Sequence, residues 1–316
     1  MKGLVYKSTG SWYTVKSESG EWYECRIKGK FRIQGIKSTN PVAVGDRVVF
    51  ELESSGDETY GVIKEIEERE NYIIRKSVNL SKQTHIIAAN VDLAFLLVTL
   101  NNPPTFTTFI DRFLVTTEAY QVQAVLLFNK IDTYSSEELD EIRYLQSVYR
   151  GVGYPCLEIS AKDGVQVEEV KALMRGKVSM FSGHSGVGKS TLVNAIDPSL
   201  DIKTKSISAQ HQQGQHTTTF AQMYDLQFEA KIIDTPGIKG FGIVDMEREE
   251  IADYFPEFFS RKQHCKFNNC LHVEEPKCAV KEALEANAIA ASRYESYLQI
   301  LEGEEDQYRK DIYGTH

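Results

Sequence analysis

The octapeptide Gly183-His184-Ser185-Gly186-Val187-Gly188-Lys189-Ser190 constrains this chain more than any other feature. It fits G-x-x-x-x-G-K-S, follows the apolar run Val178 to Phe181 and precedes the helical run Thr191 to Ile196. A glycine-rich loop between strand and helix lets backbone N–H groups approach a phosphate closely. Lys189 is then placed to reach the β and γ phosphates, and the Ser190 hydroxyl to ligate Mg2+. Such a loop needs a sheet behind it. Apolar runs at Val91 to Leu97, Ala124 to Phe128, Pro155 to Ile159, Val178 to Phe181 and Lys231 to Ile233 alternate with amphipathic stretches such as Ser136 to Tyr149. Continuous apolar strands alternating with helices predict a doubly wound α/β domain, its parallel sheet covered on both faces.

Phosphate binding does not choose a base. Asn129-Lys130-Ile131-Asp132, directly after the second apolar run, makes that choice. The Asp132 carboxylate can accept from guanine N1–H and the exocyclic amine, while Asn129 contacts the Hoogsteen edge and the Lys130 stem covers the ring. Adenine offers neither donor, and a site built on polar pairing rejects the analogue that lacks the group by roughly 10⁴ or more. Ser160-Ala161-Lys162, after the third run, supplies a loop whose backbone can hold guanine O6. Asp234-Thr235-Pro236-Gly237 follows the last run. There Asp234 would hold Mg2+ through water, and the Gly237 N–H would sense the γ phosphate. Between these segments lie Thr217, Thr218 and Thr219, one of which is expected to reach the metal when GTP orders an otherwise solvated polar loop.

The order of these motifs is permuted. Ras-like domains run from the phosphate loop through the switch threonine and DxxG to NKxD and SAK, whereas here the segments at 129 and 160 precede the loop at 183. Domain termini usually lie close together, so joining them and cutting elsewhere preserves the site. The new cut places the second switch just before the C-terminal segment, so the γ phosphate is expected to set the orientation of everything after Gly242. Ile238 stands where many GTPases carry the glutamine that orients the attacking water. An aliphatic side chain cannot do this, so hydrolysis should be slow until a partner completes the site. His216, beside the threonines, is the nearest candidate for the missing group, its other reading being a polar loop histidine.

The flanks differ in kind. Residues 1–70 read as five short alternating strands, Leu4 to Lys7, Trp12 to Lys16, Trp22 to Ile27, Arg47 to Leu52 and Gly61 to Ile66. They predict a small barrel, OB-type as first choice, although an SH3-like barrel gives a similar pattern. The net charge of −9 excludes a chain that is basic throughout, yet residues 1–45 hold eight Lys or Arg against three Glu. Arg26, Lys28, Lys30, Arg32 and Lys37, near Trp12, Trp22 and Phe31, could follow a phosphate backbone and stack bases; the other reading is an exposed loop over core aromatics. Residues 245–316 lack strand signals, and Val280, Leu284, Tyr294, Leu298 and Leu301 recur near helical spacing. Three of the five cysteines fall here, as Cys265-x4-Cys270-x-His272-x5-Cys278. Three thiols and an imidazole fill the tetrahedral shell of Zn2+ and leave no position for water, which makes the site structural. Cys25 and Cys156 lie in strands and read as core residues. No apolar run approaches the roughly 20 residues that span a bilayer, and the N-terminus lacks the pattern of a secretory signal. A cytoplasmic protein, away from the membrane and monomeric, is expected.

Taken together these residues resemble the RsgA (YjeQ) family of circularly permuted bacterial GTPases acting in late assembly of the small ribosomal subunit. The resemblance rests on Arg26-Ile27-Lys28-Gly29-Lys30-Phe31-Arg32, the motif order, the block Gly214-Gln215-His216-Thr217-Thr218-Thr219, and Cys265, Cys270, His272 and Cys278. It implies an OB-type barrel over residues 1–70 that binds ribosomal RNA, a permuted Ras-like GTPase domain over 71–244 and a mostly helical zinc-binding unit over 245–316. It also implies GTP hydrolysis to GDP stimulated by the 30S subunit and coupled to release, with His216 and Thr218 in catalytic and switch roles beside Lys189, and Mg2+ held by Ser190, Thr218 and Asp234. A GTP-gated switch with a protein effector is the competing reading; a hydrolase centred on the cysteine cluster is disfavoured by its closed ligand set.

Overall fold

The computed structural model describes residues 1–27, 41–55, 58–76, 84–200, 221–234 and 246–303. At the N-terminus, alternation of buried and exposed side chains gives the five expected strands: β1 (Lys2–Ser8), β2 (Tyr13–Ser17), β3 (Trp22–Ile27), β4 (Arg47–Ser55) and β5 (Glu58–Ile66). Their order is β1-β2-β3-β5-β4, and β1 pairs back with β4, which closes the sheet. Only β3 and β5 run parallel. This closed five-stranded order is that of an OB-type barrel. Val5, Tyr13, Val15, Cys25, Val48, Phe50 and Ile63 fill its interior. Gly61 makes room for two of them, since a Cβ there would stand 2.3 Å from the Cys25 sulfur and 3.0 Å from the Phe50 ring.

A hairpin that the sequence reading did not anticipate, β6 (Tyr72–Lys76) and β7 (Thr84–Ala89), follows the barrel. The central domain then runs β8 (Leu93–Val98), α1 (Thr107–Ala119), β9 (Gln123–Asn129), α2 (Ser136–Val152), β10 (Cys156–Ile159), α3 (Val167–Met174), β11 (Val178–Ser182), α4 (Lys189–Ile196), β12 (Gln222–Asp225) and β13 (Lys231–Asp234). Its sheet order is β10-β9-β8-β11-β13-β12, parallel except for β12. All six residues of β8 are buried because helices cover both faces. One core gathers around Phe113, Leu114, Leu96 and Phe128, the opposite one around Phe95, Val170, Leu192 and Ile232. Helix α2 starts at a capping box, with Ser135 and Glu138 satisfying each other's backbone N–H groups, and stops at Gly153 with φ +114°.

Strand β12, polar and unanticipated, is where the barrel joins the sheet: Lys7 of β1 pairs with Gln222. Asp225 fastens the joint, accepting from the Tyr6 hydroxyl at 2.5 Å and from Lys16 Nζ at 2.6 Å.

The C-terminal unit holds α5 (Pro256–Lys262), α6 (Ala279–Glu285) and α7 (Ala291–Glu302). Its core combines Ile251, Phe255, Phe258, Val280, Tyr297 and Ile300 with Val115 from α1. The buried stripe of α7 is Arg293, Ser296, Tyr297, Ile300 and Leu301. It widens the expected Tyr294, Leu298 and Leu301 face, which packs against the same core, because Arg293 is also drawn inward to two carboxylates. Arg293 Nη1 donates to Asp111 at 2.7 Å, while Nε and Nη2 grip Glu257 at 2.7 and 3.0 Å.

Candidate nucleotide site and cysteine cluster

The parallel strands β9, β10, β11 and β13 all deliver their C-terminal ends to one edge of the sheet, and each end carries one of the expected motifs. Ligands of open α/β sheets bind outside such ends. The phosphate loop leaves β11 and feeds α4, with Gly183, Gly186 and Gly188 at φ +137°, +87° and +102°. Gly188 is held to glycine twice over: beyond its φ, a Cβ would sit 2.3 Å from Asn129 Nδ2.

Asn129 ties the loops together. Its Nδ2 donates to the Val187 carbonyl at 2.7 Å and its Oδ1 accepts from the Ala161 N–H at 3.0 Å. The side chain expected to read the base therefore also fixes the phosphate loop against the Ser160 loop, a role the sequence reading missed. Ser160 donates to Asp132 Oδ1 at 2.7 Å and accepts from the Asp163 N–H at 3.1 Å. Asp132 itself is exposed at the rim. Lys130, left-handed at φ +70°, extends its half-buried side chain to the Asn102 carbonyl in the loop before α1. Lys162, which follows Ala161, is exposed.

Lys189 Nζ donates to the carbonyls of Gly183 and His184, both at 2.6 Å. Burial lowers its ammonium pKa to about 8. His184 packs its ring on Phe109, and burial first, the Lys189 charge second, hold its imidazole below the usual range. Ser185 is exposed, Val187 buried, Ser190 half-buried and Thr191 exposed. Asp234 ends β13, one step past the pairing of Ile233 with Met180, so its carboxyl lies level with the strand that launches the phosphate loop. Burial raises that carboxyl above its ordinary value. A half-buried carboxyl at this strand end is a position that a hydrated cation fits. His216, Thr217, Thr218, Thr219, Gly237, Ile238 and the basic segment Lys28 to Arg32 lie outside the described residues.

The second cluster sits in the C-terminal unit. Cys265, Cys270, His272 and Cys278 each offer one ligand atom, all within 4.8 Å of one another. His272 Nδ1 lies 3.6 Å from Cys265 Sγ and 3.3 Å from Cys278 Sγ, and the two sulfurs are 4.0 Å apart. Ligands at zinc bond lengths and tetrahedral angles stand about 3.3–3.8 Å apart, so this set fits the ion. Burial pushes the Cys270 thiol up to about 12 and raises Cys278 as well. Such a donor set ionises on taking up a cation. The loop is braced from outside: Glu275 accepts from the N–H groups of Leu271 at 2.7 Å and Val273 at 2.9 Å. Tyr294 and Tyr297 donate to the carbonyls of His272 and Leu271 at 2.7 and 2.6 Å. His264 is exposed and stands outside the cluster.

On the barrel, Arg26 stacks on Tyr60 at 4.0 Å, and Trp12 meets the same ring edge-on at 6.1 Å. Trp12 and Trp22 are 41% and 53% exposed, which makes them surface rather than core aromatics. Cys25 and Cys156 are buried in β3 and β10, as core residues. No helix among the described residues is long and apolar enough to cross a membrane.

A phosphate loop that follows its base-reading strands in the chain, on a sheet of this order, defines a circularly permuted P-loop GTPase. The model of the RsgA GTPase family matches residues 66–244 and that of the RsgA N-terminal domain residues 2–63. A Small ribosomal subunit biogenesis GTPase RsgA of Christiangramia forsetii is 73% identical over 99% of both chains, and one of Bacteroides fragilis is 56% identical over 98% of this chain and 99% of its own. Among solved structures, YjeQ from Thermotoga maritima superposes with a TM-score of 0.75 at 36% identity, covering 100% of this chain and 99% of its own. YloQ, a circularly permuted GTPase, gives 0.73 at 30% identity over 100% and 96%. The chain belongs to the RsgA GTPase family.

Proposed function

We propose that the protein hydrolyses GTP to GDP and phosphate during late maturation of the small ribosomal subunit, and that the subunit stimulates hydrolysis, which releases the protein. The observation that carries the nucleotide assignment is the Asn129 side chain bonded to both Val187 and Ala161, which holds base-reading and phosphate-binding loops in one register. Asp132 and Asn129 choose guanine, Lys130 covers the ring, and the Ser160-Ala161-Lys162 loop receives O6. The backbone from Gly183 to Thr191 cradles the phosphates, and Lys189 turns from its own loop carbonyls to the β and γ oxygens. Ser190, Thr218 and Asp234 would hold Mg2+, which neutralises charge on the phosphates when bound. His216 places the water in the role that Ile238 cannot fill, and Thr218 and Gly237 sense the γ phosphate.

Cys265, Cys270, His272 and Cys278 would hold one structural Zn2+. Ribosomal RNA is the partner of the barrel, where Arg26, which precedes the basic segment in the sequence, forms a cationic, aromatic surface with Tyr60 and Trp12. The names of the relatives support the small subunit as the partner. The protein acts as a cytoplasmic monomer away from the membrane.

The test is GTP turnover against the concentration of purified small subunits. A rate that rises and saturates with the subunit is expected, and His216→Ala should lower the stimulated rate by about 10² or more with GDP binding unchanged. A rate indifferent to the subunit would contradict the proposal and favour a switch acting on a protein effector.

A further inference from the structure

Helix α1 touches the phosphate loop and the C-terminal unit at the same time. The ring of Phe109 lies 4.0 Å from the His184 imidazole, centre to centre, at 31° between planes. Thr108, Asp111 and Val115, three and four residues apart, form a different stripe that meets the C-terminal unit. Thr108 donates to Gln299 Oε1 at 2.8 Å, Asp111 takes Arg293, and Val115 joins the core around Phe255 and Tyr297. The side chains of Arg293 and Asp111 are 1% and 0% exposed, and Glu257, the other partner of Arg293, is 8% exposed. The Arg293 guanidinium also lies 4.6 Å over the Phe255 ring.

A desolvated ion triad adds little stability over apolar packing, but it admits few geometries, and losing one partner strands a buried charge. Such a triad makes a position-specific clamp. We propose that α1 is a strut: the C-terminal unit, clamped to Asp111 by Arg293, holds Phe109 against His184 and so sets how long a nucleotide stays in the phosphate loop. Arg293 and Asp111 are positioning residues, since neither touches the nucleotide loops. This deepens the nucleotide-site reading and rests on it. Coupling of binding free energies is reciprocal, so a strut that slows release by tightening binding makes bound nucleotide tighten the docking of α7 in turn.

The test uses full-length protein and release of fluorescently labelled GDP. Phe109→Ala and Arg293→Met should each speed release by about tenfold, and the double variant should be no faster than the faster single, because both changes cut one strut. Saturating GDP should slow amide exchange in α7 of the unchanged protein and fail to do so in Phe109→Ala, a signature that a purely structural role would not give. Melting curves and bound zinc establish folding. Should Arg293→Met unfold the C-terminal unit, Glu257→Gln replaces it, keeping shape and the Asp111 contact, with an expected two- to threefold effect, roughly. Folded variants that release GDP at the original rate, or effects that multiply in the double variant, overturn the strut. If the unchanged protein fails to bind labelled GDP, the nucleotide-site reading falls and the strut with it.

Discussion

Ser160 donates its hydroxyl to Asp132 at 2.7 Å, so the carboxylate at the rim of the site is aimed by a loop that arrives 28 residues later in the chain. One Asp132 oxygen is thereby fixed, and the pair of oxygens presents an edge that matches two adjacent donors. Guanine carries such donors at N1 and the exocyclic amine. Xanthine keeps N1–H but bears a carbonyl oxygen in place of that amine. Asp132→Asn should weaken GTP binding by roughly 10² or more and create affinity for XTP, because the carboxamide N–H now meets that oxygen. Competition between the two nucleotides for labelled GDP checks the exchange.

Asn129→Ala removes the bonds to Val187 and Ala161 together. Both backbone groups would be left buried, at about 1–3 kcal/mol each. The variant should lose stability in urea melts even without nucleotide, and lose GTP affinity through two loops at once. A variant equally stable but weaker in binding would mean that Asn129 only reads the base.

Burial lowers the Lys189 ammonium from 10.5 to about 8. Between those values the unfolded chain binds the extra proton, so stability without nucleotide rises with pH across that window. Below about 8 the cost of the buried charge is present in full. Lys189→Met removes it, so at pH 7 this variant should melt above the unchanged protein, with the gap closing between about pH 8 and 10. Its nucleotide affinity should fall. Thermal midpoints measured across pH decide this, and a pH-independent gap would contradict it.

Much of the scaffold was legible because burial writes a simple pattern. β8 is buried at all six positions and reads as a covered strand, and β2 alternates strictly. The closure of the barrel was not legible, since the pairings of β1 with β4 and β3 with β5 are set by contacts distant in sequence. β12 escaped because Gln222, Met223, Tyr224 and Asp225 bury only Met223, so no period shows. Arg293 escaped for a different reason: an arginine in a helix is ordinarily on a solvated face, and only the tertiary approach of Asp111 and Glu257 turns it inward. At the site, the placement of the motifs at strand ends was readable from the sequence, whereas the bond from Asn129 to Val187 spans 58 residues and needed the fold.

The thiol and imidazole cluster joins the loop before α6 to the core beneath α7. Cys278→Ser should abolish zinc uptake by the cluster, measured as metal per chain, and lower the melting temperature, since metal binding is folding free energy in such a closed site. Retention of one zinc per chain at full stability would show that Cys265, Cys270 and His272 suffice.

Titration calorimetry of the unchanged protein with GTP and with ATP tests the central claim most directly. Asp132 facing a guanine edge while the Lys189 loop holds the phosphates predicts binding of GTP and ATP affinity lower by roughly 10⁴ or more. Equal affinities, or no binding of either, would contradict it.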